Sequence, residues 1–177
     1  MQGTQRPPRA VQARKFGISA LQAAWFNVWL SRRMATLPLH GILPGDVLRR
    51  EDSGGLFVCC EPAVDAARAT AWELSPTGPI WGPKMPMPTG EALAFEQTVM
   101  TEVGAQALIP RLGRWGRGTR RAARVPLKEA RLVWREKALE LRFVLPPGAY
   151  ATQVLHQLFH GGAQEAVDGL AASAHPA

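Results

Sequence analysis

Residues 139–155 read "LELRFVLPPGAYATQVL", and this stretch decides how the fold is read. Leu139, Leu141 and Phe143 alternate with Glu140 and Arg142, the period of a strand with one face buried. Pro146-Pro147-Gly148 stops that strand. From Tyr150 the spacing turns helical and closes at Gly161-Gly162, a helix-ending pair. Tyr150, the one tyrosine of the chain, therefore stands on a strand-to-helix corner among small residues. One use for such a ring is to cap the end of a core. Just upstream, "EARLVWRE" and "KALELRFVLP" predict a hairpin turned at about Glu136-Lys137.

Working back toward the N-terminus, "ISALQAAWFNVWLSRRM" places Leu21, Trp25, Val28 and Trp29 on one helical stripe. Ser19 is a candidate N-cap, and Arg32-Arg33 suit the negative end of the helix dipole. "DVLRRED" and "GLFVCCE" predict two strands joined across "SGG", and "PAVDAARATAWEL" a short helix with Pro62 near its start. "SPTGPIWGPKMPMPTG" holds five prolines and three glycines and predicts a long loop. "EALAFEQTVMTEVGA" predicts a helix with Leu93, Gln97 and Met100 along one side. Residues 1–15, with Pro7, Pro8 and several cations, predict a basic mobile arm, and the alanine-rich residues 161–177 a frayed tail. The fold class is mixed α+β.

The chain of 177 residues is 46% hydrophobic, enough to bury a core. Its apolar runs are short, so no membrane span is expected, and the basic N-terminus lacks a secretory apolar region. A cytoplasmic location is expected. Adjacent Cys59 and Cys60 point to opposite sides of a strand, which disfavours a disulfide or shared metal. The net charge is +7, and only Lys15, Lys84, Lys128 and Lys137 of the 21 cations are lysines. Guanidinium grips phosphate bidentately and stacks on bases, so nucleic acid leads the partner classes; a GC-rich genome would give the same arginine bias.

The basic run "RLGRWGRGTRRAAR" places Arg111, Arg114, Arg117, Arg120, Arg121 and Arg124 within fourteen residues, beside Trp115 and three glycines. Arginine supplies charge, tryptophan a stacking face, and glycine a close backbone approach to phosphate. A solvated face is the competing explanation. The run is neither a dinucleotide fingerprint nor a Walker loop. His156 and His160 are four apart without an H-E-x-x-H, and read as structural or surface residues; no metal site is expected. The four aspartates, Asp46, Asp52, Asp65 and Asp168, each have a turn or capping explanation, and none has a neighbour suggesting a prepared catalytic group.

Four strings, in order from about Phe16 to Phe159, together resemble the C-terminal half of the TruD family of tRNA pseudouridine synthases. They are "ISALQAAWFNVWLSRR", "LPGDVL", "TGPIWG" with "GEALAFEQ", and "RRAARVP" with "LELRFVLPPGAYATQVLHQL". The resemblance implies isomerisation of a uridine in the tRNA D arm, at position 13, to pseudouridine, without cofactor or metal. It implies an insertion domain over residues 16–125 and a returning hairpin and helix of the catalytic domain over 126–160. Gly148, Tyr150, Ala151 and Thr152 resemble the active-site edge, and Arg120-Arg121 the family's R-R pair. His156 and Gln157 stand where the family's closing helix has arginine and glutamate.

The family's catalytic aspartate belongs to a G-x-K-D motif, followed by N-Y-F-G-x-Q-R-F-G. Neither motif occurs here, and "ARKFG" echoes the second only weakly. No residue of this chain inherits the nucleophile. The expectation is a C-terminal part, inactive alone, whose partners are tRNA and a catalytic N-terminal half. The alternative is an arginine-rich RNA-binding remnant without chemistry.

Overall fold

In the computed structural model, residues 9–136, 138–147 and 149–160 are described, the His160 side chain apart. The first helix, α1 (Arg9–Met34, 26 residues), is longer than expected. It takes up residues 9–15 of the expected arm and leaves Ser19 inside the helix rather than at its cap. The reason is chemical: no proline occurs between Pro8 and Pro38, and alanine, glutamine, arginine and lysine are good helix formers. The expected stripe holds, with Trp25 and Trp29 buried and Leu21 and Val28 packed against the core. Gln22, Phe26 and Arg33 join the buried face.

Then follow β1 (Val47–Arg50), β2 (Leu56–Val58), α2 (Pro62–Thr70) and β3 (Leu74–Ile80). Next come α3 (Gly90–Glu102), the single turn α4 (Ala105–Leu108), two short 3-10 turns and β4 (Thr119–Ala122). The four strands form one antiparallel sheet in the order β2-β1-β3-β4. The β1/β2 hairpin pairs Val47 with Val58 and Leu48 with Phe57. Cys59 is buried and Cys60 exposed, neither in a disulfide. Burial and the neighbouring Asp65 carboxylate push the Cys59 thiol up to about 12, so it stays a thiol and packs as a small apolar residue.

The proline-rich "loop" is the main surprise, because its first part is the central strand. All seven residues of β3 are buried, Pro76 and Pro79 included. A proline lacks the N–H of a ladder bond and is ordinarily kept off central strands. Here each proline falls where one of the two ladders has ended. Pro76 pairs with Leu48, but the ladder to β4 starts only at Thr77. Pro79 pairs with Arg120, while the ladder to β1 stops at Pro76. The Pro76 carbonyl still accepts from Ala123 N at 2.8 Å. Pro79 therefore deletes no ladder bond, whereas Pro76 has no N–H to return to Ala123 and so marks where the β4 ladder stops.

A core of Trp25, Phe26, Trp29, Ile80, Trp81 and Met85 joins α1 to β3 and the segment after it. Trp25 meets Trp81 edge-on at 6.1 Å, and Gln22 Nε2 donates to the Trp81 carbonyl at 2.7 Å. A smaller cluster of Leu48, Cys59, Ala69 and Leu74 sits under α2. In α3 the buried residues are Ala92, Glu96 and Val99, a face rotated from the expected Leu93, Gln97 and Met100. A carboxylate lies in the middle of that inward stripe, which hides it from a reading based on apolar spacing.

The chain divides into two compact units at Arg124/Val125. The second holds β5 (Lys128–Arg135), β6 (Ala138–Val144) and α5 (Ala151–His160). β5 and β6 form the expected antiparallel hairpin, Val133 opposite Glu140 and Trp134 opposite Leu139. Glu136 takes a left-handed φ of 45° at its turn. The residues 161–177 and the closing pair Gly161-Gly162 lie outside the described part. Among the described residues no helix is long and apolar enough to cross a membrane.

Candidate nucleic-acid interface

The six arginines of the basic run separate into two sets. Arg111, Arg114, Arg117 and Arg121 are exposed, and among the described residues none of them forms a salt bridge. Two have an aromatic ring beneath them. Arg114 lies over Trp115 at 4.6 Å and Arg121 over Phe26 at 5.0 Å from the ring centroid. A guanidinium held flat on a ring keeps its donors at the rim for phosphate and its outer face for a base.

Arg120 does not belong to that surface. Register places it on β4 opposite Pro79, and its side chain is wholly enclosed. Nη2 donates to Glu96 Oε1 at 2.7 Å and Nη1 to Glu96 Oε2 at 3.0 Å, a bidentate pair. Nη2 also donates to the Thr77 carbonyl at 2.6 Å and Nε to Thr77 Oγ1 at 3.0 Å. Thr77 Oγ1 in turn donates to the Val47 carbonyl at 2.5 Å. This network joins α3, β4, β3 and β1. Burial raises the Glu96 carboxyl above its ordinary value, and the Arg120 hydrogen bonds oppose that rise without cancelling it. Placing Arg120 on RNA is therefore corrected: its donors are spent on the core.

Arg124 is likewise turned inward. Its Nε donates to Ser75 Oγ at 3.2 Å and its Nη2 to the carbonyls of Leu74, at 2.9 Å, and Ala69. The guanidinium lies 3.9 Å from the centroid of Trp72. Sequence reasoning assigned no role to Trp72.

The glycines of the run also have a packing purpose. A Cβ on Gly82 would stand 2.1 Å from the Gly116 carbonyl oxygen and 2.4 Å from the Gly118 nitrogen. The two loops meet backbone to backbone, and Lys84 N donates to the Arg117 carbonyl at 2.8 Å. Gly118 thus fits against Gly82, and Gly116 against the Leu112 side chain, where a Cβ would stand 2.4 Å from the Leu112 Cβ; both are spent on packing, which corrects the first reading of them. Gly82→Ala is expected to destabilise the chain by about 3 kcal/mol, because backbone cannot yield as a flexible side chain can. Urea denaturation checks this, and a change below about 1 kcal/mol would show that the loops can part at little cost.

The acidic residues sort as clearly. Asp46 is buried and receives both Nη groups of Arg33, one on Oδ1 at 3.2 Å and the other on Oδ2, while Leu43 N donates to Oδ2 at 2.7 Å. Arg33 also donates to the Gly41 carbonyl at 3.1 Å. Asp65 pairs with Arg68 at 3.1 Å. Their arginine partners lie 13 and 3 residues away in sequence, and only the fold brings Arg33 onto Asp46. Asp52 is exposed at the β1/β2 tip, where hydrogen bonds from Ser53 lower its carboxyl. Asp168 lies outside the described residues. Among the described residues no group of three or more His, Cys, Asp or Glu side chains could hold a metal ion.

In the second unit, Tyr150 is 72% exposed immediately before α5, and its carbonyl accepts from Gln153 N at 3.0 Å. Ala151 and Thr152 form the exposed first turn; Gly148 lies outside the described residues. Thr152, Leu155, His156 and Phe159 line a shallow hollow on one side of α5. The unit carries much uncovered apolar surface, with Trp134 76% and Phe159 65% exposed.

Residues 10–158 match the family model described as tRNA pseudouridine synthase D (TruD). A tRNA pseudouridine synthase D from Anaeromyxobacter sp. is 43% identical over 152 residues, covering 85% of this chain and 43% of the relative. One from Thermus thermophilus is 37% identical over 163 residues, covering 92% and 44% respectively. A crystal structure from Methanosarcina mazei named for TruD superposes with a TM-score of 0.63 at 24% identity, over 77% of this chain and 36% of the other. This chain thus spans a little under half the length of those curated relatives.

Proposed function

The chain belongs to the tRNA pseudouridine synthase D family, and from that premise we propose that it is the RNA-holding part of an enzyme that isomerises a tRNA uridine to pseudouridine. The D arm, at position 13, is the target. Residues up to about 125, α1 included, form the insertion domain, and β5, β6 and α5 return to the catalytic domain. The break between compact units at Arg124/Val125 supports that division. The observation that carries the RNA-holding role is the sorting of one basic run: Arg111, Arg114, Arg117 and Arg121 face solvent, while Arg120 and Arg124 hold the core. Phosphates fix register on RNA, and a target base is drawn from its stack by such a surface together with a ring near the reacting sugar, the part assigned to Tyr150.

The nucleophilic carboxylate comes, in this reading, from a segment carrying G-x-K-D. Asp46 has both oxygens engaged in a buried pair, Asp65 is held by Arg68, and Asp52 lies on a hairpin tip. The uncovered apolar faces of the hairpin and α5 supply an area for that segment to cover. Such an enzyme works in the cytoplasm with its tRNA, where two unbridged cysteines are at home.

The test is an unmodified tRNA transcript incubated with this chain alone, and with the chain joined to the part of the Anaeromyxobacter relative that it does not cover. No pseudouridine is expected from the chain alone, and pseudouridine at one uridine from the joined protein. Product from the chain alone would overturn the assignment of the nucleophile. A well-folded joined protein with no product would favour the non-catalytic RNA-binding remnant.

A further inference from the structure

The helix α2 ends in a Schellman motif: Glu73 N donates to the Arg68 carbonyl at 2.9 Å and Trp72 N to the Ala69 carbonyl at 3.1 Å. Trp72 occupies the left-handed position of that motif, with φ of 61°. Glycine is the usual residue there, and a bulky one costs on the order of 1–2 kcal/mol of backbone strain. Burial of the ring does not explain the choice, since Trp72 remains 45% exposed. What the ring does contact is Arg124, whose guanidinium lies 3.9 Å from its centroid and is fixed to Ser75 and two carbonyls. The underside of the indole is thus held by a clamped cation, which fixes the ring's orientation before any ligand arrives.

The geometry points to Trp72 as a stacking platform for one unpaired base of an RNA. The class of ligand follows from its surroundings. Arg50, exposed at the end of β1 and paired in register with Leu74, lies over Phe57 at 5.5 Å, a second cation-on-ring stack at the same end of the sheet. The nearby Arg68 is committed to Asp65 and Glu73, whereas Arg50, which helps lower the Asp52 carboxyl, forms no salt bridge among the described residues and is the cation left to meet a phosphate. An exposed indole at the same end of the sheet as an unbridged guanidinium suits a nucleotide, whose base stacks while its phosphate is held. Arg124 is here a positioning residue, acting on RNA only through Trp72.

The platform rests on the tRNA reading above, and two probes separate them: an unmodified tRNA transcript and a short unpaired oligouridine, titrated by anisotropy against the whole chain. Trp72→Gly suits the left-handed position, so its melting temperature should stay within a few degrees. It is expected to weaken both probes roughly 5- to 100-fold, with an unchanged dependence on salt because no charge is lost. Trp72→Phe should restore most of the affinity, while Trp72→Asn, also tolerant of this backbone, should not. Unchanged oligouridine affinity in folded Trp72→Gly or Trp72→Asn overturns the platform, and the tRNA reading survives if the transcript still binds in a salt-sensitive way. Trp72-dependent binding of oligouridine with no binding of the transcript sinks the tRNA reading and keeps the platform. If the unsubstituted chain binds neither probe, both fall.

Discussion

Arg120→Met is expected to lower stability by about 3–5 kcal/mol near neutral pH, because it leaves the Glu96 carboxylate buried without its partner. The pair is almost completely enclosed, and Arg120 also fills the Thr77 carbonyl and hydroxyl. Removing both members is a different experiment. Glu96→Leu with Arg120→Met deletes the charges together, and well-packed apolar replacements of a buried pair are often neutral or better. The double variant should therefore recover most of the loss, short of what the Thr77 hydrogen bonds contributed. Dependence on pH gives a second signature. A carboxyl raised in the fold makes a contribution that is fully present below its unfolded value of about 4.5 and is lost as pH rises through the folded value. With Arg120 gone that folded value rises further, so the single variant should regain stability on going from about pH 7.5 to about pH 5. The double variant should lack this component. Urea unfolding at both pH values reads all of this, and a single variant losing under about 1 kcal/mol would show that water already reaches the pair.

Much of the architecture could be read from local pattern because local pattern caused it. Trp25 and Trp29 recur at helical spacing and are buried along α1; the alternation from Lys128 to Val144 pairs as a hairpin. The failures share a cause, namely features that depend on distant partners. Pro76 and Pro79 read as loop residues until register places both on the central strand, Pro76 at the end of the β4 ladder and Pro79 past the end of the β1 ladder. Nothing local in the sequence marks Glu96 for burial, because its partner Arg120 lies 24 positions later. Arg120 and Arg124 are chemically identical to their neighbours in sequence, so no rule on composition could tell core from surface; strand register does. Trp72 gave no signal, because ending a helix with tryptophan in place of glycine is a local inconsistency that only the Arg124 stack explains.

That division of the basic run leads to the second large effect. Changing Arg111, Arg114, Arg117 and Arg121 together to alanine should reduce the slope of log affinity against log salt for tRNA by about 3, given roughly 0.7–0.9 for each phosphate that is no longer neutralised. Weakening should be uniform across tRNAs, since phosphates carry no sequence information. The fold should persist, because none of the four takes part in a salt bridge of the described structure; urea unfolding gives the control. An unchanged slope would reduce the run to a solvated face. Lysine replacements then separate charge from shape. Arg111→Lys and Arg117→Lys keep a cation and should keep the slope. Arg121→Lys also keeps the charge, but it loses the planar group over Phe26, so affinity should fall while the slope holds. A salt slope retained with weaker affinity at Arg121 alone would mean that its flat guanidinium, beyond its charge, touches the RNA.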